Sequence, residues 1–249
     1  MDLGLAGKKA LVTGGSTGLG FAIAEVLSQE SADVVLASRN LEKLKAAKEH
    51  LSKYKGSVQV VEVDLSQESS IRKMMDEVGA VDILVNNTGG PTAGDPMDIS
   101  LEQWDQGYQS LLRSVLLLTQ IVVPAMKDKH WGRILNVTSS AAKEIVPRLP
   151  VSSTFRSGLT GLTKELAKSL GRSGILVNNL LPGPVATDRL KELEVKSPAF
   201  YASMETNSAL GRVGRPEEIG RIGAFLCSEA NGFITGTNIL ADGGFTSAL

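Results

Sequence analysis

The 249-residue sequence has one cysteine, two histidines and 4% aromatic residues, and its 26 basic and 27 acidic side chains leave a formal charge of −1. A lone thiol, Cys227, cannot close an internal disulfide, so a disulfide-stapled secreted fold is excluded and the cytosol is the expected compartment. With His50 and His130 far apart and no second cysteine, no His/Cys metal cluster can be assembled, and no Ser-His-Asp arrangement occurs at recognisable spacing. Metal-assisted and triad hydrolysis therefore have no support, and no metal is expected. Without an excess of basic residues there is no concentrated cationic face, so neither nucleic acid nor a membrane surface is expected as a partner. The opening MDLGLAGKKALVTGG lacks the basic-then-apolar layout of a signal peptide. The most apolar stretch, SLLRSVLLLTQIVVPAM from Ser110 to Met126, is interrupted by Arg113, Gln120 and Pro124 short of a bilayer span. It reads as a buried helix or a subunit contact.

What is present is an alternation. KALVT, DVVLA, VQVVEV, DILVNN, GRILNVT, GILVNNL and NILA are short, mostly apolar and rich in β-branched residues, as strands covered on both faces should be. Between them lie helical patterns such as LGFAIAEVLSQE, NLEKLKAAKEHLSK, SSIRKMMDEV and KELAKSLGR. Strand, helix, strand in that order requires right-handed crossovers and a parallel sheet. The fold class expected is α/β, a single doubly wound Rossmann-type domain over residues 1–249, with helices on both faces. Only about 188–214 is weakly periodic, and it reads as a substrate lid.

KALVT runs into TGGSTGLG, Thr13 to Gly20, and then directly into a helix. Gly14, Gly18 and Gly20 permit positive φ, close backbone approach and tight helix packing, while the loop and first turn, with Ser16, Thr17 and Leu19, present N–H groups to a pyrophosphate. A dinucleotide site is expected there. The next strand ends in Ser38 and Arg39, where a carboxylate would have selected NAD. A hydroxyl and a guanidinium suit a 2′-phosphate, so NADP is expected, with NAD possible; the alternative for Arg39 is a solvated residue opening a helix. Asp64 and Leu65 border the adenine in this architecture, or Asp64 is a helix cap or turn residue.

With TGGSTGLG, VNNTGG, GRILNVTSS, VNNLLPGPVAT and the block GRVGRPEEIGRIGAFLCSEANGFITGTNILADGG in order, the whole chain resembles the short-chain dehydrogenase/reductase family. The C-terminal block is similar to the 3-oxoacyl-carrier-protein-reductase-like branch. The resemblance implies a seven-stranded parallel sheet, a nicotinamide cofactor and a homotetramer with helical dimer contacts. It assigns Asn87 and Gly89 to the cofactor cleft or its turn, with Thr88 where the family has alanine. It places Asn178, Pro182 and Gly183 before the nicotinamide, with Val185 N–H and Thr187 bonding the carboxamide; for Thr187 a helix N-cap is the alternative.

The family's catalytic pattern breaks in this chain. Its asparagine position falls on Leu111, its serine on Ser139 with Ser140 as competitor, its tyrosine on Ser152 and its lysine on Arg156. A serine hydroxyl lacks the acidity of a phenol beside a cation, and arginine stays protonated and relays nothing. Loss of a positioned general acid costs about 10²–10⁴ in rate. Tyr108, one turn before Leu111, and Tyr201, in the lid stretch, are the phenols available as substitutes, and both also read as packing residues. Ser139 and Arg156 together can polarise a carbonyl while water supplies the proton; helix-end solvation or a subunit salt bridge is the alternative for Arg156. Ile145, Val146, Leu149 and Val151 suggest an apolar substrate pocket, with Arg148 either pairing an acidic substrate or solvated. Two functions follow: an NADP-preferring oxidoreductase interconverting a small-molecule carbonyl and alcohol at a divergent centre, or a catalytically silent nucleotide-binding protein with a regulatory or assembly role.

Overall fold

The continuous apolar runs become seven parallel strands: β1 (Lys9–Thr13), β2 (Asp33–Ser38), β3 (Val58–Glu62), β4 (Ile83–Asn87), β5 (Gly132–Val137), β6 (Ile175–Pro182) and β7 (Asn238–Ala241). They lie in one sheet in the order β3-β2-β1-β4-β5-β6-β7. The computed structural model describes residues 2–248, apart from the side chains at 189, 193 and 196. Because side chains alternate along a strand, β1 feeds two cores: Ala10 and Val12 enter one, Leu11 the other. The first core is closed by Ile23, Ala24 and Leu27 of α1 (Gly18–Gln29), Leu44, Ala47 and Leu51 of α2 (Leu41–Leu51), and Ile219 and Ala224 of α9 (Pro216–Leu226). The second is closed by Ile71, Met74 and Val78 of α3 (Glu68–Val78), Leu118 and Val122 of α5 (Ser114–Asp128), and Ala167 and Leu170 of α6 (Pro150–Leu170). Each fully buried leucine or isoleucine here contributes about 1.5–3 kcal/mol, which is why uniformly apolar strands are stable only between two helical layers.

The strand order reverses between β1 and β4, and in sheets of this kind the ligand crevice opens at the carboxyl ends of the strands at that point. Thr13 at the end of β1 holds the switch together: its Oγ1 accepts from Asn87 N at 3.0 Å and contacts the carbonyls of Val85 and Asn87 at 3.3 and 3.2 Å.

Four asparagines stand in register across the other half of the sheet, Asn86, Asn136, Asn179 and Asn238 on β4 to β7. Each amide donates to the next: Asn86 Nδ2 to Asn136 Oδ1 (2.9 Å), Asn136 Nδ2 to Asn179 Oδ1 (3.1 Å) and Asn179 Nδ2 to Asn238 Oδ1 (2.7 Å). Thr163 of α6 closes the row by donating to Asn179 Oδ1 at 2.7 Å.

Two expectations change. The weakly periodic stretch about 188–214 contains two helices, α7 (Asp188–Lys196) and α8 (Pro198–Asn207); Pro198 at the start of α8 explains why the periodicity breaks. The apolar stretch around Ser110–Met126 is also longer than its polar interruptions imply. From α4 (Leu101–Tyr108) through a π turn (Gln109–Arg113) into α5 the helix is unbroken over Leu101–Asp128, long and apolar enough by composition to cross a membrane. Its apolar face has an internal use, since Leu111, Val115, Leu118, Val122 and Met126 are buried in the fold.

Candidate active site

The glycine loop follows from its neighbours. Gly14 has φ +57° and a Cβ there would lie 2.5 Å from the Asn87 carbonyl; a Cβ on Gly20 would lie 2.4 Å from the Gly14 carbonyl. Any larger residue would push β1, β4 and α1 apart. Asn87 Nδ2 donates to Gly14 O at 3.2 Å, so its side chain braces the loop. Gly18 opens α1 with φ +60°, and Thr17, at the N-cap with extended backbone, makes no side-chain cap bond, which leaves the first-turn amides to be satisfied from outside the helix. Ser16, Thr17 and Gly18 also face a second cleft of about 440 Å³, shared with Thr187, Asp188, Lys191, Lys43 and His50. His50, in the last turn of α2, faces this cleft beside the glycine loop. There it contacts Glu25 Oε1 at 2.9 Å.

From Gly14 a cleft of about 560 Å³ runs past Ser38, Arg39, Asp64, Leu65, Asn87 and Gly89 to the face of α4. Ser38 Oγ is buried with no hydrogen-bond partner among the described residues, beside the exposed Arg39. Asp64 is held by its neighbour Ser66. Its Oδ1 accepts from Ser66 N (2.9 Å) and Ser66 Oγ (2.8 Å), a turn role, while the residue lines the cleft. The Ser66 amide bond lowers its pKa, with further help from the Ser66 hydroxyl and nearby Arg39 against the opposing effect of burial. The far wall, Gln103, Gln106, Gln109 and Ser110, was not anticipated. Its polar spacing of three residues, just before the apolar stretch Ser110–Met126, is the signal that marks it.

At the other end of the crevice, Asn178 is a buried brace, donating to Ile234 O at 2.8 Å and accepting from Thr237 N at 3.3 Å. Gly183 follows Pro182 where a Cβ would lie 2.5 Å from Asp242 Cβ, so the β6 exit must be glycine. Val185 bridges Gly214. Thr187 N donates to Val185 O at 2.7 Å, and the Thr187 carbonyl accepts from Leu190 and Lys191, the N-cap position of α7. Thr187 Cγ2 would meet a Cβ on Gly18 at 3.5 Å, so this loop closes over the glycine loop.

Of the residues that the resemblance assigns to catalysis, Ser152 and Arg156 are bonded to each other. Ser139 ends the extended segment after β5 and its Oγ accepts from Ala141 N at 3.1 Å in a short 3-10 turn, whereas Ser140 is buried. Ser152 and Arg156 lie one turn apart on α6, both 6% exposed. The guanidinium donates through Nε to Ser152 Oγ (3.2 Å), through Nη1 to Val137 O (3.1 Å), two residues before Ser139, and through Nη2 to Gly89 O (3.5 Å). Arg156 is therefore not a solvated helix end; it is interior and joins α6 to the ends of β4 and β5. Leu111 is fully buried inside the π turn, so that position offers no hydrogen bond.

Each of the two phenols named as substitutes has its own neighbours. Tyr108 packs on Phe155 with ring centroids 6.0 Å apart, and Gly107 lies against Val151 and Phe155. Val151 and Phe155 form the stripe of α6 next to the one that carries Ser152 and Arg156. Tyr201 has its pKa raised by burial and by Glu194 and Glu205, the opposite of what a proton donor requires. The expected apolar pocket is divided as well. Val151 is buried against α4, Ile145 is 82% exposed, and Arg148 is an exposed loop residue at φ +65°. Among the described residues no group of His, Cys, Asp or Glu could hold a metal.

The sequence profile of the family described as "Enoyl-(Acyl carrier protein) reductase" matches residues 14–246. The chain is 36% identical over 249 residues to a 3-oxoacyl-[acyl-carrier-protein] reductase of Aquifex aeolicus, covering 98% of this chain and 99% of that one. It is 36% identical over 247 residues to a dehydrogenase/reductase SDR family member 4 of Bos taurus, covering 97% and 88%. Among solved structures it superposes on L-sorbose reductase from Gluconobacter frateurii, complexed with NADPH and L-sorbose, with a TM-score of 0.93 at 29% identity over all of both chains.

Proposed function

The chain belongs to the short-chain dehydrogenase/reductase family, and from that premise we propose that it is an NADP-preferring oxidoreductase interconverting a small-molecule carbonyl and alcohol, with Ser139, Ser152 and Arg156 in place of the usual serine, tyrosine and lysine. The observation that carries the reading is Ser38 Oγ, buried without a partner beside Arg39, in a cleft that starts at Gly14 of the glycine loop, four residues before a helix whose N-terminus has no side-chain cap. Those residues fit a nicotinamide dinucleotide with a 2′-phosphate. Gly14, Ser16, Thr17, Gly18, Leu19 and Gly20 would hold the pyrophosphate on backbone amides, Ser38 and Arg39 the 2′-phosphate, and Asp64 and Leu65 the adenine edge. Asn87 and Gly89 shape the middle of the cleft, and Pro182, Gly183, Val185 and Thr187 the nicotinamide end. When bound, the cofactor supplies or accepts a hydride at the substrate carbon.

The chain's own residues would then manage the oxygen. Each serine already accepts a hydrogen bond, Ser139 from Ala141 N and Ser152 from Arg156 Nε, so each hydroxyl can orient its hydrogen toward a substrate oxygen. Arg156 fixes Ser152 and adds positive potential, and solvent water delivers the proton. The assembly is a homotetramer in the cytosol on this reading.

A second reading, a silent NADP-binding protein with a regulatory or assembly role, is favoured by one feature: Leu111, Ser152 and the packed Tyr108 leave this crevice without a phenolic acid. A fluorescence titration with NADPH and NADH, run beside turnover on ketones and alcohols, separates the two. Saturable NADPH binding with turnover abolished by Ser139→Ala supports the oxidoreductase. Binding with no turnover above background selects the silent protein, and absence of binding removes both.

A further inference from the structure

Segment 242–248, after β7, is fastened at both ends. At its start Asp242 Oδ1 accepts from Gly244 N at 2.9 Å, and Oδ2 accepts from Thr246 N and Thr246 Oγ1, each at 2.9 Å. There the Gly243 carbonyl also accepts from Leu210 N (3.3 Å) and Ser208 Oγ (3.2 Å), residues that follow α8 directly. Gly243 and Gly244 turn the chain at φ +64° and +72°, and a Cβ on Gly244 would lie 2.8 Å from Ala209 Cβ. At the far end, Ser247 N and Ala248 N both donate to one oxygen, Oε2 of Glu144, at 2.7 and 2.8 Å. Glu144 lies in loop 143–149, which joins the turn carrying Ser139 to the helix carrying Ser152 and Arg156.

Loop 143–149 has little else to order it from outside. Lys143, Ile145, Pro147 and Arg148 are exposed, and Arg148 sits in the left-handed region, its carbonyl accepting from Gly94 N at 3.0 Å. A charge-assisted pair of amide bonds to a single carboxylate is stronger than neutral bonds of the same geometry. Glu144 is therefore the side chain through which the loop is tied to a distant segment, and that segment is itself tied to the end of α8.

We propose that Glu144 is a positioning residue that couples the α7–α8 lid segment to the substrate-side loop through segment 242–248, so that the two sides of the crevice order together. Its link to catalysis rests on the reading of the Ser139–Ser152 crevice as the reaction site. The coupling itself is measurable without turnover, so the two can fail separately.

Hydrogen exchange read by mass spectrometry on the full chain tests it, with Glu144→Ala, Glu144→Gln, Ser247→Pro and the combination of Glu144→Ala with Ser247→Pro. Proline removes one donating N–H and leaves the loop's own side chains untouched. Loss of the bonds to Glu144 should speed exchange about tenfold or more in 143–149, 242–248 and 208–211 together. Ser247→Pro should reproduce that pattern, the combination should add nothing to it, and Glu144→Gln, whose amide oxygen still accepts, should fall between. In any variant that turns over a carbonyl, KM rises while kcat and NADPH affinity hold. Faster exchange confined to 143–149, additive effects of the two substitutions, or no change at 208–211 would overturn the coupling. A urea midpoint for each variant confirms that the fold is intact, and if Glu144→Ala fails to fold, Ser247→Pro decides alone.

Discussion

Arg156 and Ser152 stand one helical turn apart on α6, and the guanidinium Nε donates to the serine Oγ across 3.2 Å. With its acceptor side occupied by a cation, the hydroxyl has its own hydrogen to give. It can bond an oxyanion but cannot neutralise one, because a serine is far less acidic than a phenol.

Restoring the acid should therefore release activity that the scaffold can support. Ser152→Tyr combined with Arg156→Lys is expected to raise kcat by about 10²–10⁴, measured as NADPH oxidation with a ketone panel. An unchanged rate with NADPH still bound would mean that Leu111 or the loop geometry, not the missing phenol, limits the centre.

Removing the guanidinium tests structure, separately from chemistry. Arg156→Leu leaves the Val137 and Gly89 carbonyls and Ser152 Oγ without this donor in a buried setting. A loss of about 2–4 kcal/mol in urea unfolding is expected, larger than for Arg156→Lys. Equal stability of all three proteins would show that the clamp carries no load.

Cofactor choice should respond to Arg39. Arg39→Asp places a carboxylate where the 2′-phosphate would lie and should weaken NADPH binding by about tenfold or more while NADH changes little. Equal effects on both, by fluorescence titration, would refute the 2′-phosphate role.

Cys227 is fully buried, and burial pushes its thiol up to about 12, with nearby Arg133 opposing only in part. The native protein at pH 8 should resist thiol reagents, and urea should expose one reactive thiol. Since the folded pKa lies above the unfolded value, the neutral thiol's contribution is complete below about pH 9 and is lost as pH rises from there toward 12. Cys227→Ala should flatten that part of the Tm profile.

Glu218 behaves in the opposite sense. Arg212 grips both its oxygens, at 2.8 and 2.9 Å, and Arg215 N donates at 2.8 Å, which together bring its carboxyl down to about 2. The carboxylate's contribution is complete above the unfolded value near 4.5 and fades as pH falls from there toward 2. Wild-type Tm should fall more steeply than that of Glu218→Gln across that window, and parallel curves would mean that the grip adds nothing.

The fold was largely legible because uniformly apolar strands between glycine-terminated turns permit few other architectures: all seven strand runs appear in the sheet, and the glycine loop sits between β1 and α1. Ser139, Ser152 and Arg156 were singled out by the family resemblance. What they bond was not legible, because Arg156 reaches Val137 and Gly89, 19 and 67 residues away, contacts that no local pattern encodes. For the same reason Glu144 reads as an ordinary loop carboxylate until the chain returns to it from more than 100 residues on. The α7–α8 stretch was under-read because its helices are short and one starts at a proline.

The asparagine row has a bearing on how this sequence can change. The two middle members, Asn136 and Asn179, each give to one neighbour and take from another, so replacing either alone strands a partner's amide in the interior, while replacing the row together with Thr163 by hydrocarbons of similar size strands none. Descent with modification at these four sites is expected to proceed in blocks. A homologue carrying a lone aliphatic residue in the middle of the row should bear a second, compensating exchange beside it.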